Sequence, residues 1–421
     1  MRKRLIVLSF DALSGQDMAY MKRLPVFQAF FARAAICTNV RSIYPSVTYP
    51  CHVSIVTGKH PRDHGVTANV HTQPKRANTP DWYWQAKYVK APTIYDLAIQ
   101  KGMKVGAFLW PVTAKSNIHY LLPEIFANRA WDTQLLTSLR NGSPLLLLRF
   151  FRQFGHMLKG ISQPELDDFV TACVIDTIRQ KSPELLFVHL TDIDAKRHQY
   201  GVHSAEAYAA IDRHAIRFER ILDALKEKQL YDSTNIVILG DHTQLDFHTK
   251  VALNEILAEH GWQEHSAGKV ISWKAFAKSN GGSAYLYQKT VSENTAKLHA
   301  LLKKLQEDPK NGIERILTSE EAAAEGADPA CTFMLEAKEG YLFTDAPKRH
   351  KKAGKADHGY HPSKPNFRTF YAMAGPDIRQ GVKIDRMSLL DIAPTLAKLL
   401  DLPFESTDGT PLDIFLQESD V

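Results

Sequence analysis

A threonine hydroxyl is a poor nucleophile near neutral pH unless a general base or a cation lowers its pKa. Thr48 is a candidate of this kind, in the stretch Ser42-Ile43-Tyr44-Pro45-Ser46-Val47-Thr48-Tyr49-Pro50-Cys51-His52 that runs on into Ser54-Ile55-Val56-Thr57-Gly58. Read locally it is an ordinary turn residue beside a proline, and the basic residue near it is His52. The rest of the chain offers another activator. Asp11, Asp194 with His198, Asp241 with His242, and His358 are small clusters of carboxylate and imidazole. Both groups are good zinc ligands, and neighbours such as Asp241 and His242 can reach into one site. The four-residue spacing of Asp194 and His198 lets a helical turn aim both at one ion. Alone, that pair would read as a surface helix pair, but it recurs with Asp11 and Asp241-His242 in the same context. Two divalent cations would face the three carboxylates Asp11, Asp194 and Asp241, and an ionised Thr48 would complete the balance. Such a site draws a phosphate ester and stabilises both the entering and the leaving oxygen of an in-line displacement.

These residues need elements that bring them to one place. Leu5-Ile6-Val7-Leu8-Ser9-Phe10 is the apolar run of a strand buried on both faces, and Asp11 follows its C-terminal end, where open α/β sheets put their ligands. Glu184 to Leu190 repeats the arrangement ahead of Asp194 and His198, and Thr234 to Leu239 repeats it ahead of Asp241 and His242. Helical spacing from Tyr20 to Ala35, a helix continuing from Thr48, another opened by Pro92 and a strand from Lys104 to Trp110 give the βαβ rhythm of a mostly parallel sheet. A helix starting near Thr48 would present backbone N–H groups to an anion.

The rhythm fails over 116–163, which reads as a helical insertion near the site. Gln163 to Gln180 and Ala205 to Leu230 read as helices. Ser292 to Leu305 and Gly312 to Glu325 are expected as helices too, and Thr332 to Leu342 as a strand, in a small α+β cap. The expected fold is α/β, with a mostly parallel central sheet flanked by helices. Residues 1–285 with 356–421 form the catalytic core, and 286–355 the cap. Arg368 to Ala374 and Ser388 to Leu400 return to the core as strand and helix.

The chain has 421 residues, enough to bury a large core, and its 44% hydrophobic and 23% charged content is ordinary for a globular protein. A net charge of +6 suits a small anionic substrate, and no basic-aromatic stripe points to a nucleic acid polymer. The basic run Lys348-Arg349-His350-Lys351-Lys352 reads as a solvated loop or a substrate-attracting rim. Cys37, Cys51, Cys173 and Cys331 are widely spread with no C-x-x-C pair, which fits a reducing compartment. The apolar run after Met1-Arg2-Lys3-Arg4 stops at Asp11, and Leu145 to Leu148 is far short of the ~20 residues of a membrane span. A cytoplasmic location is expected. Oligomeric state has no sequence signal.

Taken together, Phe10-Asp11-Ala12, the block from Thr48 to Gly65, Asp194 with His198, Gly240-Asp241-His242, Asp357-His358-Gly359-Tyr360 and Asp391-Ile392-Ala393-Pro394-Thr395-Leu396 resemble the alkaline phosphatase superfamily, in its nucleotide pyrophosphatase/phosphodiesterase branch. The resemblance covers most of the chain. It implies an alkaline-phosphatase-like fold and two divalent ions, zinc with manganese as the other candidate. One would be held by Asp194, His198 and His358, the other by Asp11, Asp241, His242 and the Thr48 hydroxyl. It further implies a phosphothreonine intermediate on Thr48, two inversions at phosphorus, and Asn69 as a residue holding phosphoryl oxygens. Tyr49 reads as a stacking surface for a leaving group or as a packed core aromatic. His52, His64, His71, His361 and Asp357 read as residues orienting ligands or as loop residues.

The chain departs from the family pattern at Cys51, where Asn is common, and at Thr243-Gln244, where Gly follows the Asp-His pair. A phosphodiesterase or nucleotide pyrophosphatase acting on a nucleotide-like ester is the expected function. The alternatives are a phosphomonoesterase, a phosphonoacetate-hydrolase-like enzyme cleaving a C–P bond, and, more remotely, a binding module without catalysis. Thr48 and His52 occupy the positions where a sulfatase needs its C/S-x-P-x-R pattern.

Overall fold

The computed structural model describes residues 3–76, 79–129, 131–266, 269–290, 294–345 and 355–416. The central sheet consists of Arg4–Phe10 (β1), Ala35–Arg41 (β2), Val105–Phe108 (β3), Tyr120–Leu122 (β4), Leu185–Leu190 (β5), Thr234–Leu239 (β6), Thr369–Ala374 (β7) and Met387–Ser388 (β8). Its order is β8-β2-β7-β6-β1-β5-β3-β4. From β4 across to β6 the strands are parallel, and β7 runs antiparallel to both β6 and β2. Side chains alternate between faces along a strand, so one apolar run serves two cores. Ile6, Leu8 and Phe10 pack with Val188 and Ile238 beneath the helices Glu165–Lys181 and Ala205–Glu227. Leu5, Val7, Phe187 and Val237 pack on the other face beneath the helices Thr48–Thr57 (α1) and Ile392–Leu399. Each such side chain contributes roughly 1.5–3 kcal/mol on burial.

Register sets the site. Ser9 lies beside Leu239, and Phe10 beside Leu190, so the residues that follow β1, β5 and β6 emerge together at one rim. The Asp11 N–H donates to the Leu190 carbonyl at 2.9 Å, which continues the ladder to the first ligand candidate.

A four-stranded antiparallel sheet, ordered Ala275–Ser279, Ser283–Gln288, Phe333–Ala337 and Ile313–Thr318, and a three-stranded sheet with Leu245–Ala252 in its centre stand outside the central sheet. Gly312 to Glu325, expected as one helix, is instead the strand Ile313–Thr318 followed by the helix Ser319–Ala324. Pairing with Phe333–Ala337 overrides the local helical spacing. The helix begins only where Thr318 and Glu321 form a capping box. The 116–163 stretch holds β4 and the helices Gln134–Asn141 and Pro144–Phe154. The run Lys348 to Lys352 lies outside the described residues.

Candidate active site

Thr48 is the first residue of α1, reached from the extended Val47, so its hydroxyl and its own amide share one helix N-terminus, while Pro50 has no N–H and the Cys51 N–H already bonds the Val47 carbonyl. Its Oγ1 lies 3.1 Å from His242 Nε2. The same nitrogen lies 3.4 Å from Asp11 Oδ1 and 3.3 Å from Asp241 Oδ2. Asp11, Asp241 and His242 thus offer one cluster of potential cation donors, all buried. A second set adjoins it: Asp194 gathers with His242 and His358, and His198 with Asp357 and His358. His198 Nε2 stands 3.3 Å from Asp194 Oδ1. All of the expected ligand residues therefore meet at one rim, with Asp357 beside them.

The second helix of the site, Asp192–Tyr200 (α2), is fixed at its start by buried charge. Asp192 accepts from Arg213 at 2.7 and 2.9 Å and from Arg217 at 2.9 Å. Asp167 accepts the N–H groups of Thr191 and Asp192 at 3.1 and 2.9 Å. Removing one partner from such a buried network costs about 3–5 kcal/mol, and here it would also release Asp194 and His198.

Free donor atoms test whether the cluster suits cations. Asp241 uses Oδ1 to accept from the Ala12 N–H at 3.2 Å, and Asp11 uses Oδ2 to accept from His189 at 3.0 Å. Their other oxygens, Asp241 Oδ2 and Asp11 Oδ1, are buried with no hydrogen-bond partner, as are His242 Nδ1 and His358 Nδ1. An unpaired buried polar atom costs about 1–3 kcal/mol, and four of them converge here on a set of Asp and His side chains suited to zinc. The residues fit the binding of divalent cations. Without cations, burial and then the Asp194 charge push the Asp11 carboxyl up to about 7, and burial and then Asp11 raise Asp241 well above its usual range. Burial opposes the ionisation of Asp194 too, but His198 outweighs it and holds that carboxylate low. Burial works against the His198 imidazolium as well, yet Asp194 and Asp357 push it up to about 10.

Asn69 accepts the Tyr49 N–H through Oδ1 at 2.8 Å, which leaves its NH2 group to donate elsewhere. It lines a cavity of about 310 Å³ beside the cluster, with Val47, Lys250, Asn280, Asp357 and His358. A larger groove of about 680 Å³, lined by Met18, Phe31 and Lys383 among others, involves none of these residues. Tyr49 is not a stacking surface. It is 0% exposed, packed with Val53, Val66 and Val112, and its hydroxyl donates to Glu124 Oε1 at 3.0 Å. The core reading of this aromatic holds because the cluster, with Trp82 against it, covers the ring.

His52 does not face Thr48 Oγ1 as a base: its Nδ1 donates to the Thr48 carbonyl at 2.8 Å and its Nε2 accepts from Ser9 Oγ at 2.9 Å. Burial pulls its pKa down, which keeps it neutral. His64 contacts Ser54, His71 stacks on Tyr83, and His361 contacts Glu325. Asp357 accepts the His358 N–H at 2.9 Å.

The motifs did not mark three further residues here. His189 touches both Asp11 and Glu124, and Gln244 donates to Asp194 Oδ1 at 2.5 Å. A histidine inside the otherwise apolar run Leu185–Leu190 was a legible signal, and Gln244 stood out only as a departure from the family pattern. Glu124 had none.

Cation-ready donors at three strand ends, a threonine at a helix start beside them and a mostly parallel sheet beneath define an alkaline-phosphatase-like protein. The sequence profile described as "Type I phosphodiesterase / nucleotide pyrophosphatase" matches residues 5–361. The chain belongs to that family, in the nucleotide pyrophosphatase/phosphodiesterase branch of the alkaline phosphatase superfamily. It is 23% identical over 409 residues to human ectonucleotide pyrophosphatase/phosphodiesterase family member 1, covering 92% of this chain but 38% of that protein. It is 25% identical over 423 residues to bovine bis(5'-adenosyl)-triphosphatase, covering 97% of this chain and 80% of the relative. Among solved structures, inactive murine ectonucleotide pyrophosphatase/phosphodiesterase 5 in complex with AMP superposes with a TM-score of 0.71 at 18% identity, covering 97% of each chain.

Proposed function

We propose that the protein is a two-metal phosphodiesterase with nucleotide pyrophosphatase character, and that Thr48 is its nucleophile. The observation that carries this reading is the Thr48 hydroxyl 3.1 Å from His242 Nε2, beside buried carboxylate oxygens that lack partners. Asp194, His198 and His358 would hold one divalent ion, and Asp11, Asp241 and His242 the other, together with the Thr48 hydroxyl. Zinc is the ion proposed, with manganese as the alternative. Bound there, the ions would lower the pKa of the hydroxyl and of the attacking water and offset the charge that builds on the phosphoryl oxygens.

The chain's own residues do the rest. At the start of α1 the Thr48 N–H is the amide offered to the anion, since the Tyr49 N–H is committed to Asn69 and Pro50 has none. His52 pins the Thr48 carbonyl, and Tyr49 and Asn69 fix each other, which leaves the Asn69 NH2 to donate to a phosphoryl oxygen. The Thr48 oxygen forms a bond to phosphorus while the bond to the leaving oxygen breaks and that oxygen departs with the electron pair. Water then cleaves the resulting phosphothreonine, and the two inversions give net retention.

AMP in the murine relative and the triphosphatase name of the bovine one support a nucleotide-like ester as substrate. The 310 Å³ cavity beside Asn69 is of a size to take part of such a molecule. Among the described residues no helix is long and apolar enough to cross a membrane. Four buried free cysteines support action in a reducing compartment, the cytoplasm.

The test is turnover of bis(p-nitrophenyl) phosphate against p-nitrophenyl phosphate, with and without added zinc. Faster cleavage of the diester in the zinc-loaded protein is expected. Faster cleavage of the monoester would overturn the phosphodiesterase reading.

A further inference from the structure

Asp11 must turn one oxygen toward a cation, and something has to decide which. Its Oδ2 is taken by His189 Nε2 at 3.0 Å, which leaves Oδ1 without a partner on the side facing His242. His189 is 0% exposed and held from its far side as well. Its Nδ1 lies 2.9 Å from Glu124 Oε2 and 3.0 Å from the Leu109 carbonyl. Both ring nitrogens thus face oxygen acceptors, so both act as donors and the ring has one fixed orientation. Glu124 in turn accepts from Tyr49 OH through its other oxygen at 3.0 Å. Tyr49 is the residue after Thr48 on the first turn of α1.

We infer that His189 and Glu124 are positioning residues, forming with Tyr49 a hydrogen-bonded chain, Tyr49–Glu124–His189–Asp11, that aims Asp11 Oδ1 at the cation and ties this ligand to the helix turn carrying Thr48. A ligating carboxylate free to rotate would divide its time between two oxygens. Here one is committed to a charge-assisted hydrogen bond, so the other is presented in a single direction. The chain crosses from β5 through the 116–163 stretch to α1, and it gives that stretch a task at the site. His189 points to the α1 face of the sheet because, two residues on from Phe187 and four from Leu185 along β5, it shares their face. The inference rests on the proposed role of Asp11 as a ligand.

Zinc affinity, measured by equilibrium competition with a chelator, tests it apart from turnover. Orienting partners of this kind are worth about 10–100-fold in metal affinity. His189→Leu is expected to weaken one of two zinc sites by that factor. His189→Gln, whose amide NH2 can take the place of the Nε2–H, is expected to recover most of it. Glu124→Gln, at a half-buried position, keeps an acceptor for Tyr49 OH and is expected to weaken the same site by several-fold. If His189→Leu does not fold, His189→Gln and Glu124→Gln still decide. Wild-type affinity at both sites in Glu124→Gln, or in a folded His189→Leu, overturns the chain. So does a loss in His189→Gln as large as in His189→Leu. A wild type that binds no zinc would instead refute the reading on which the inference rests.

Discussion

Asp11→Asn should stabilise the cation-free protein and remove the gain from zinc at one of its two sites. In the absence of cations the Asp11 carboxyl is displaced from 3.8 to about 7, by burial first and by Asp194 second. A carboxyl with a raised folded pKa binds its proton more tightly when folded. Its cost is absent below about pH 3.8, grows as pH rises toward 7 and is complete above that. Three units at about 1.4 kcal/mol each amount to about 4 kcal/mol at pH 8. Asparagine keeps an oxygen to accept from His189 and carries no charge, so the cation-free variant should be more stable than wild type by up to that amount. With 421 residues at about 2.1 cal/mol/K each, the unfolding entropy is roughly 0.9 kcal/mol/K, and 4 kcal/mol corresponds to about 4–5 °C in Tm. Zinc at a thousand times its Kd adds about 4.1 kcal/mol per site to wild type, a similar rise, and the variant should lose that rise at one site. Calorimetry at pH 8 with chelator and with zinc reads both effects. The reasoning is refuted if the cation-free variant melts no higher than wild type, or if zinc raises its Tm as much.

Asn69→Asp keeps an acceptor for the Tyr49 N–H but replaces the free donor with an anion, so kcat/KM for a diester should fall by about 10²–10³, as steady-state kinetics will show. Gln244→Leu removes the donor to Asp194 Oδ1 and should weaken one zinc site by about 10-fold or more in the same chelator competition, while Glu124→Gln affects the other. Burial pulls His64 down to about 3, and the ring accepts the Val66 N–H at 3.2 Å, so it is held neutral. The unfolded chain binds the proton more readily, so stability falls as pH drops from about 6.5 toward 3, by up to about 1.4 kcal/mol per unit. Urea titrations of the cation-free His64→Gln variant should therefore show a shallower loss between pH 6.5 and 4.5 than those of wild type.

The strand ends were readable because a strand buried on both faces is a continuous apolar run, and a polar residue directly after it has nowhere to go but the rim. Asp11 obeys that rule directly and Asp241 after one glycine, whereas Asp194 reaches the rim from the first turn of α2, which follows β5. Thr48 could not be justified by its neighbours, since the same residues make an ordinary turn, and only the distant clusters gave it a role. The strand Ile313–Thr318 was misread as helix because local spacing carries no information about the partner strand Phe333–Ala337 that pairs with it. Tyr49 illustrates the same limit: whether an aromatic faces a ligand or a core depends on residues such as Val112 and Trp82, which approach from far along the chain. The position of Glu124 depends on an irregular segment with no periodicity to read, so its contacts with Tyr49 and His189 emerge only in three dimensions.

The central claim is that Thr48 attacks phosphorus, and a covalent adduct tests it most directly. Acid quenching of the zinc-loaded protein during turnover of a phosphodiester, followed by peptide mapping, should find the phosphoryl group on Thr48. Thr48→Ala should lose that adduct and at least about 10³-fold in turnover, while still binding zinc through the remaining ligands. A phosphoryl adduct on another residue, or undiminished turnover in Thr48→Ala, would contradict the account.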